Sequence, residues 1–193
     1  HAGGHSTWGP VEEVPVDDAT AAALEAQWAA AVDAAASFAT PEAAAAAGYQ
    51  KAAAEAPGVG AHYVRWDLVD APFDPARPSM LLYDESTLRP TRLAGFSYWL
   101  RSVDGPPEGF PGPNDQWHMH VGMCFNNGFL IGEGVMSAAE CNGQWLAGTD
   151  LWMMHAWVAP TMENPWGRFA PRNPVVCPSP GEQVSDALRC PDR

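Results

Sequence analysis

Residues 116–133 read QWHMHVGMCFNNGFLIGE, and the pairing of this stretch decides what kind of fold the chain can have. Two β-prone runs, Gln116–Phe125 and Phe129–Gly132, flank the dipeptide Asn127-Gly128. Asn-Gly between such runs signals a two-residue hairpin turn, because both residues tolerate the positive φ that the turn requires. The stretch therefore predicts two antiparallel strands. Side chains alternate faces along a strand, which places His118 and His120 on one face, roughly 6–7 Å apart along it. Gly122 follows on that face and should leave open space beside the imidazoles. Trp117, Met119, Val121 and Met123 should point the other way, into a core.

The turn also fixes the position of Glu133. A two-residue turn pairs Phe125 with Leu130 and sets Glu133 opposite Gly122, on the histidine side. A three-residue loop, Asn126–Gly128, slips the register by one and turns Glu133 away. A solvated Glu at a strand end is the plain alternative.

Outward from this hairpin, further strands are expected at Ala61–Asp67, Ser79–Asp84, Arg92–Arg101 and Leu151–Ala159, all aromatic or β-branched and punctuated by Pro and Gly. Upstream the character is helical. Asp17 and Asp18 offer an N-cap, and Leu24, Trp28, Val32 and Ala35 recur as one apolar stripe. Thr40-Pro41-Glu42 is a second start signal and Gly48 a stop. The expected class is α+β: an N-terminal helical pair packed on an antiparallel β-sheet or small barrel, stapled by disulfides. Residues 1–17 should form an extended segment. Residues 18–193 should form one metal-binding domain, with helices in 18–48, the sheet in 58–160 and a Pro-rich, disulfide-bearing tail in 171–193.

Composition narrows the partners. Lys and Arg total 10 against 23 Asp and Glu, a net charge of −13, so nucleic acid and anionic membrane surfaces would be repelled and cations attracted. No apolar run reaches the ~18 residues of a membrane span. Four cysteines, Cys124, Cys141, Cys177 and Cys190, allow three pairings. Neighbour pairing, Cys124–Cys141 and Cys177–Cys190, is preferred because it closes two short loops and ties down a tail with little apolar content. The first residue is His1, which a signal-peptidase cut would explain, so an exported protein is expected.

The chemistry concentrates in the histidines. His62 lies in AHYVRW and His155 in LWMMHAWVA, so four internal histidines, His62, His118, His120 and His155, fall on expected strands among large apolar residues. Scattered separately through a core, each imidazole would need its own partners on both ring nitrogens. Gathered around one cation they would be satisfied together, with acceptors on their outer nitrogens. The plain alternative for any one of them is a hydrogen-bonded core histidine. Cys124 shares the histidine face and could supply a thiolate, but a disulfide to Cys141 is preferred. Met119, Met123, Met153 and Met154 are read as core filler, and Asp115 as a weaker outer partner. Asp67, Asp70 and Asp74 read as a solvated loop. No nucleophile elbow surrounds Ser97 or Ser137.

Several phrases resemble a group of exported bacterial proteins of unknown function: GVGAHYV (58–64), FDPARPSMLLYD (73–84), LAGFSYW (93–99) and HAWVAPTMENPWGRFAPRNP (155–174). The resemblance covers about half of the chain and implies a secreted domain whose histidines recur with these phrases. The His118-x-His120 pair also resembles cupin metal motifs, although no Glu follows at the usual cupin distance. His1 with His5 would resemble the copper brace of lytic polysaccharide monooxygenases; a flexible terminus is the plainer reading.

The resulting expectation is a secreted metalloprotein. One transition-metal ion, copper or zinc with iron as a third option, is held by His118, His120 and His155, with His62 or Glu133 completing the shell. Such a site suits either a metal-dependent oxidoreductase or hydrolase, or a metal-binding and delivery protein. The alternative is a module for carbohydrate or another small ligand, suggested by nine tryptophans.

Overall fold

The structure is a computed structural model that describes residues 9–85 and 90–176. His1, His5, Cys177 and Cys190 lie outside the described residues, and so do the expectations placed on them.

The chain first builds one long helix, α1 (Asp18–Ala35), from an alanine-rich run with high helix propensity. Asp17 caps it as expected, its carboxylate accepting from the Thr20 N–H at 2.8 Å. Such a cap contributes about 1 kcal/mol. A single 3₁₀ turn, Ala36–Phe38, then leads to α2 (Pro41–Ala46), capped by the Thr40 hydroxyl. Gly48, at φ 92°, takes the left-handed conformation that ends it. The expected helical pair is therefore one long helix and a six-residue segment. Both start signals operate, but Gly48 comes too soon for α2 to pack as a second full helix. The Tyr83 hydroxyl donates to the carbonyls of Phe38 and Thr40 at 2.7 and 3.0 Å and ties this junction to the sheet.

Among the described residues nine strands follow: β1 (Gln50–Ala56), β2 (Gly60–Val64), β3 (Met80–Asp84), β4 (Arg92–Arg101), β5 (His118–Met119), β6 (Met123–Asn126), β7 (Phe129–Gly132), β8 (Gln144–Leu146) and β9 (Leu151–Ala156). Six form an antiparallel sheet in the order β1-β2-β3-β4-β9-β5, and β7-β6-β8 form a smaller one. The sheet thus begins at residue 50, before the expected 58. The run QKAAAEA carries no β-branched or aromatic residue and so gives no strand signal. Tertiary pairing with β2, through irregular register, overrides that propensity.

The six-stranded sheet is covered on both faces, which explains why β3 and β4 are buried almost without alternation. One face, carrying Leu81, Tyr83, Phe96, Tyr98 and Met154, packs against Leu24, Ala31 and Ala35 of α1 and against Phe110 and Phe169. Trp28 completes this layer, edge-on to Phe169 at 5.6 Å. The opposite face meets the small sheet, where Val64, Met80, Trp99 and Met153 contact Met123 and Phe125. It also meets the segment after β9, through Trp157, Met162 and Val176. The start of the expected tail is thus part of the core: Val176 is buried, and the Asn173 N–H donates to the Gly58 carbonyl at 2.7 Å.

The stretch 116–133 departs from the single strand expected over Gln116–Phe125. At Gly122, φ is +69°, and an added Cβ would lie 2.1 Å from the Val135 carbonyl oxygen. The chain bends there, leaves the large sheet after β5 and enters the small sheet as β6. Gly122 thus leaves no open space beside the histidines; the Val135 backbone fills it. The turn itself follows the sequence. Asn127 and Gly128 have φ of 48° and 77°, and Phe125 pairs with Leu130. Cys124 on β6 is bonded to Cys141, closing a loop of sequence separation 17, which contributes about 3 kcal/mol on the chain-entropy account. No helix among the described residues is long and apolar enough to cross a membrane.

Candidate metal centre

Strand pairing brings the histidines together. On the face turned toward the small sheet, β9 places His155 opposite Ser97 and Met153 opposite His118. His62 enters from β2, two strands from β4, and His120 follows directly after β5. Ring centroids lie 5.2 Å apart for His118 and His120, 5.3 Å for His118 and His155, and 5.9 Å for His62 and His155. All four residues are buried. The four positions picked from the sequence thus form one cluster.

Three of the rings are anchored by their outer nitrogens. The His155 Nδ1–H donates to the Pro171 carbonyl at 2.8 Å, and the His118 Nδ1–H donates to the Gln116 carbonyl at 3.2 Å. A carbonyl can only accept, so in both rings Nδ1 carries the proton and Nε2 holds the lone pair. The His120 Nδ1 meets Glu133 Oε1 at 2.6 Å. This is the arrangement by which proteins orient metal-binding imidazoles, an acceptor behind each ring fixing the nitrogen that faces inward. Glu133 is therefore a partner behind His120, and its side chain is half-exposed. Gly122 faces the Val135 backbone instead of Glu133, because the pairing shifts between Cys124 and Phe125.

Electrostatics favour the neutral form of His62, His118 and His155. Burial lowers His62 to about 3 and His118 to about 4, with the neighbouring histidines adding to the shift. Burial likewise drives His155 well below the ordinary imidazole value. Neutral imidazole is the form that donates a lone pair to a cation. The hydrogen bond from His120 holds the Glu133 carboxyl below its ordinary value, so it carries negative charge beside the cluster. Among the described residues, no group of three or more His, Cys, Asp or Glu side chains is arranged so that it could hold a metal ion.

The remaining candidates fall away from the cluster. The disulfide occupies Cys124, which removes the thiolate option. Met123 and Met153 are core residues, as read from the sequence. Asp67 and Asp70 are exposed and paired with Arg65 and Arg101. Asp115 is not bonded to a histidine; burial pushes its carboxyl up to about 7.

Sequence reasoning missed the cavity beside the cluster. It has a volume of about 270 Å³ and lies between β1 and β7, with His62 and His120 on its wall. Its other lining groups are almost all apolar, including Ala53, Val64, Met80, Trp99, Phe125 and Leu130. The alanines of β1 are what keep it open. Their only signal in the sequence was an alanine run that continues past the helix stop.

No family model, curated protein or solved structure matches the chain.

Proposed function

We propose that this chain is an exported mononuclear metalloprotein. One transition-metal ion, copper or zinc with iron as the third option, is held by Nε2 of His118, His120 and His155. His62 or an outside ligand takes the fourth position. The observation that carries the reading is the set of acceptors behind the rings: Gln116 O, Glu133 Oε1 and Pro171 O each engage an Nδ1. The spacing supports it too. Imidazoles sharing an ion at about 2.0–2.1 Å hold their ring centroids about 5 Å apart, near the separations of His118 from its two neighbours. Small ring rotations would complete the shell. Nitrogen-only ligation in an oxidising compartment suits copper or zinc. The Cys124–Cys141 disulfide is consistent with export.

A bound ion would supply Lewis acidity, or activation of water or dioxygen. The chain's own residues keep the site dry and aim the nitrogens. The adjoining cavity favours a site that a small molecule can reach, hence a metal-dependent oxidoreductase or hydrolase. A shell closed by His62 would favour binding and delivery of the metal.

The carbohydrate reading keeps one observation, a groove walled by Trp28, Trp157 and Trp166. It loses its broader basis, since no tryptophan among the described residues is exposed. Metal analysis of protein purified without added ions separates the two. One ion per chain is expected, lost in the double variant His118→Ala/His120→Ala. Less than about 0.2 ion per chain, unchanged by reconstitution, counts against the metal reading, because a built site fills when its ion is supplied. Hits on a glycan array that survive the double variant favour the groove.

A further inference from the structure

Among the described residues β1 and β7 are each the edge of their own sheet, and no backbone ladder joins them. The cavity beside the histidines lies in that gap, and its size, walls and charge define what it can hold. Its volume of about 270 Å³ exceeds the roughly 150 Å³ of an apolar cavity that takes up benzene. It falls below the range for drug-sized ligands, which starts at about 300 Å³. One ring with a short substituent fits that space. Ala52, Val64, Met80, Trp99, Met123 and Phe125 line it and belong to one buried apolar cluster. His62, His120 and Glu133 supply the only polar side chains among the described lining residues, and no Lys or Arg is present there.

Charge and hydrogen bonding then narrow the ligand. A carboxylate would leave water without meeting a counter-charge, and a polyol would leave most of its hydroxyls unpaired. An ammonium would gain little from Glu133, which is half-exposed and already engaged by His120 at 2.6 Å. A neutral apolar molecule meets none of these costs and gains by leaving water.

We propose that this cavity binds one neutral, apolar, single-ring molecule, held by shape and apolar contact and lying against His62 and His120. Both histidines belong to the candidate metal centre, so the same class of molecule is its substrate. That last step rests on the metal reading; occupancy of the cavity does not.

The test uses metal-free protein, with toluene and benzoate as probes. Calorimetry gives affinity, and Overhauser contacts from toluene to the ring protons of His62 and His120 give position. Toluene should bind saturably with those contacts, and benzoate at least about tenfold more weakly. Ala52→Leu and Val64→Phe each add bulk to a buried position of the wall and should weaken toluene at least about tenfold. If neither variant folds, the wild-type contacts decide. Three results overturn the proposal: no saturable toluene binding, benzoate bound as tightly as toluene, or unchanged toluene affinity in a folded filling variant. Toluene contacts confined to other residues overturn it too. Toluene binding without metal uptake overturns the metal reading alone; metal uptake without toluene binding overturns the cavity alone.

Discussion

Glu133 touches the candidate site through one hydrogen bond, and at the scale of single residues that bond is the sharpest handle on it. Replacing Glu133 by Gln keeps an oxygen that can accept from His120 but removes the charge. Metal affinity is expected to fall about 10- to 100-fold, while stability changes by less than about 1 kcal/mol because the side chain is half-exposed. Competition titration against a chelator checks the first and a melt the second; unchanged affinity would separate Glu133 from the site. Asp115 gives a pH handle. Its folded carboxyl is raised to about 7 by burial, so the folded state holds the proton more tightly than the unfolded chain. That contribution is fully present below the ordinary carboxylate range and is lost as pH rises toward 7. His62, His118 and His155 act in the opposite sense: their folded values are lowered, so stability falls as pH drops below about 6.5. Comparing wild type with Asp115→Asn at the same pH cancels the histidine part. The variant should gain on the wild type between pH 5 and pH 8 in thermal melts. A constant difference across that range contradicts the partly buried placement of Asp115.

At the scale of elements, Gly122 separates β5 from β6 and so hands the chain from one sheet to the other. An alanine there needs an unfavourable positive φ, and its Cβ would meet the Val135 carbonyl. Gly122→Ala should cost at least about 3 kcal/mol in denaturant unfolding. A loss under about 1 kcal/mol would mean that the bend is not required. This glycine also marks the limit of what the sequence reveals. The hairpin was legible because Asn127-Gly128 has a backbone requirement that few dipeptides meet. The strand break was not, since the alternating pattern of 116–125 runs through Gly122 and only the crossing with Val135 demands it. The strand β1 was illegible for another reason. Alanines carry almost no strand preference, and what holds Gln50–Ala56 extended is the edge of β2.

For the whole molecule, the three layers turn a linear pattern into a site. The histidines were legible because a strand fixes which way each side chain faces. Their convergence depends on strand order, which sets β9 between β4 and β5 and is not written in any local motif. Two acceptors behind the rings, Gln116 O and Pro171 O, are backbone carbonyls, so no residue type announced them. The net charge of −13 gives the molecule a field that draws cations toward it. X-ray absorption at the metal edge of the reconstituted protein tests the central claim most directly. It should find three imidazole nitrogens at about 2.0–2.1 Å, or four if His62 closes the shell, and one fewer in His155→Ala. A shell dominated by oxygen or sulfur, or one that His155→Ala leaves unchanged, would contradict the account.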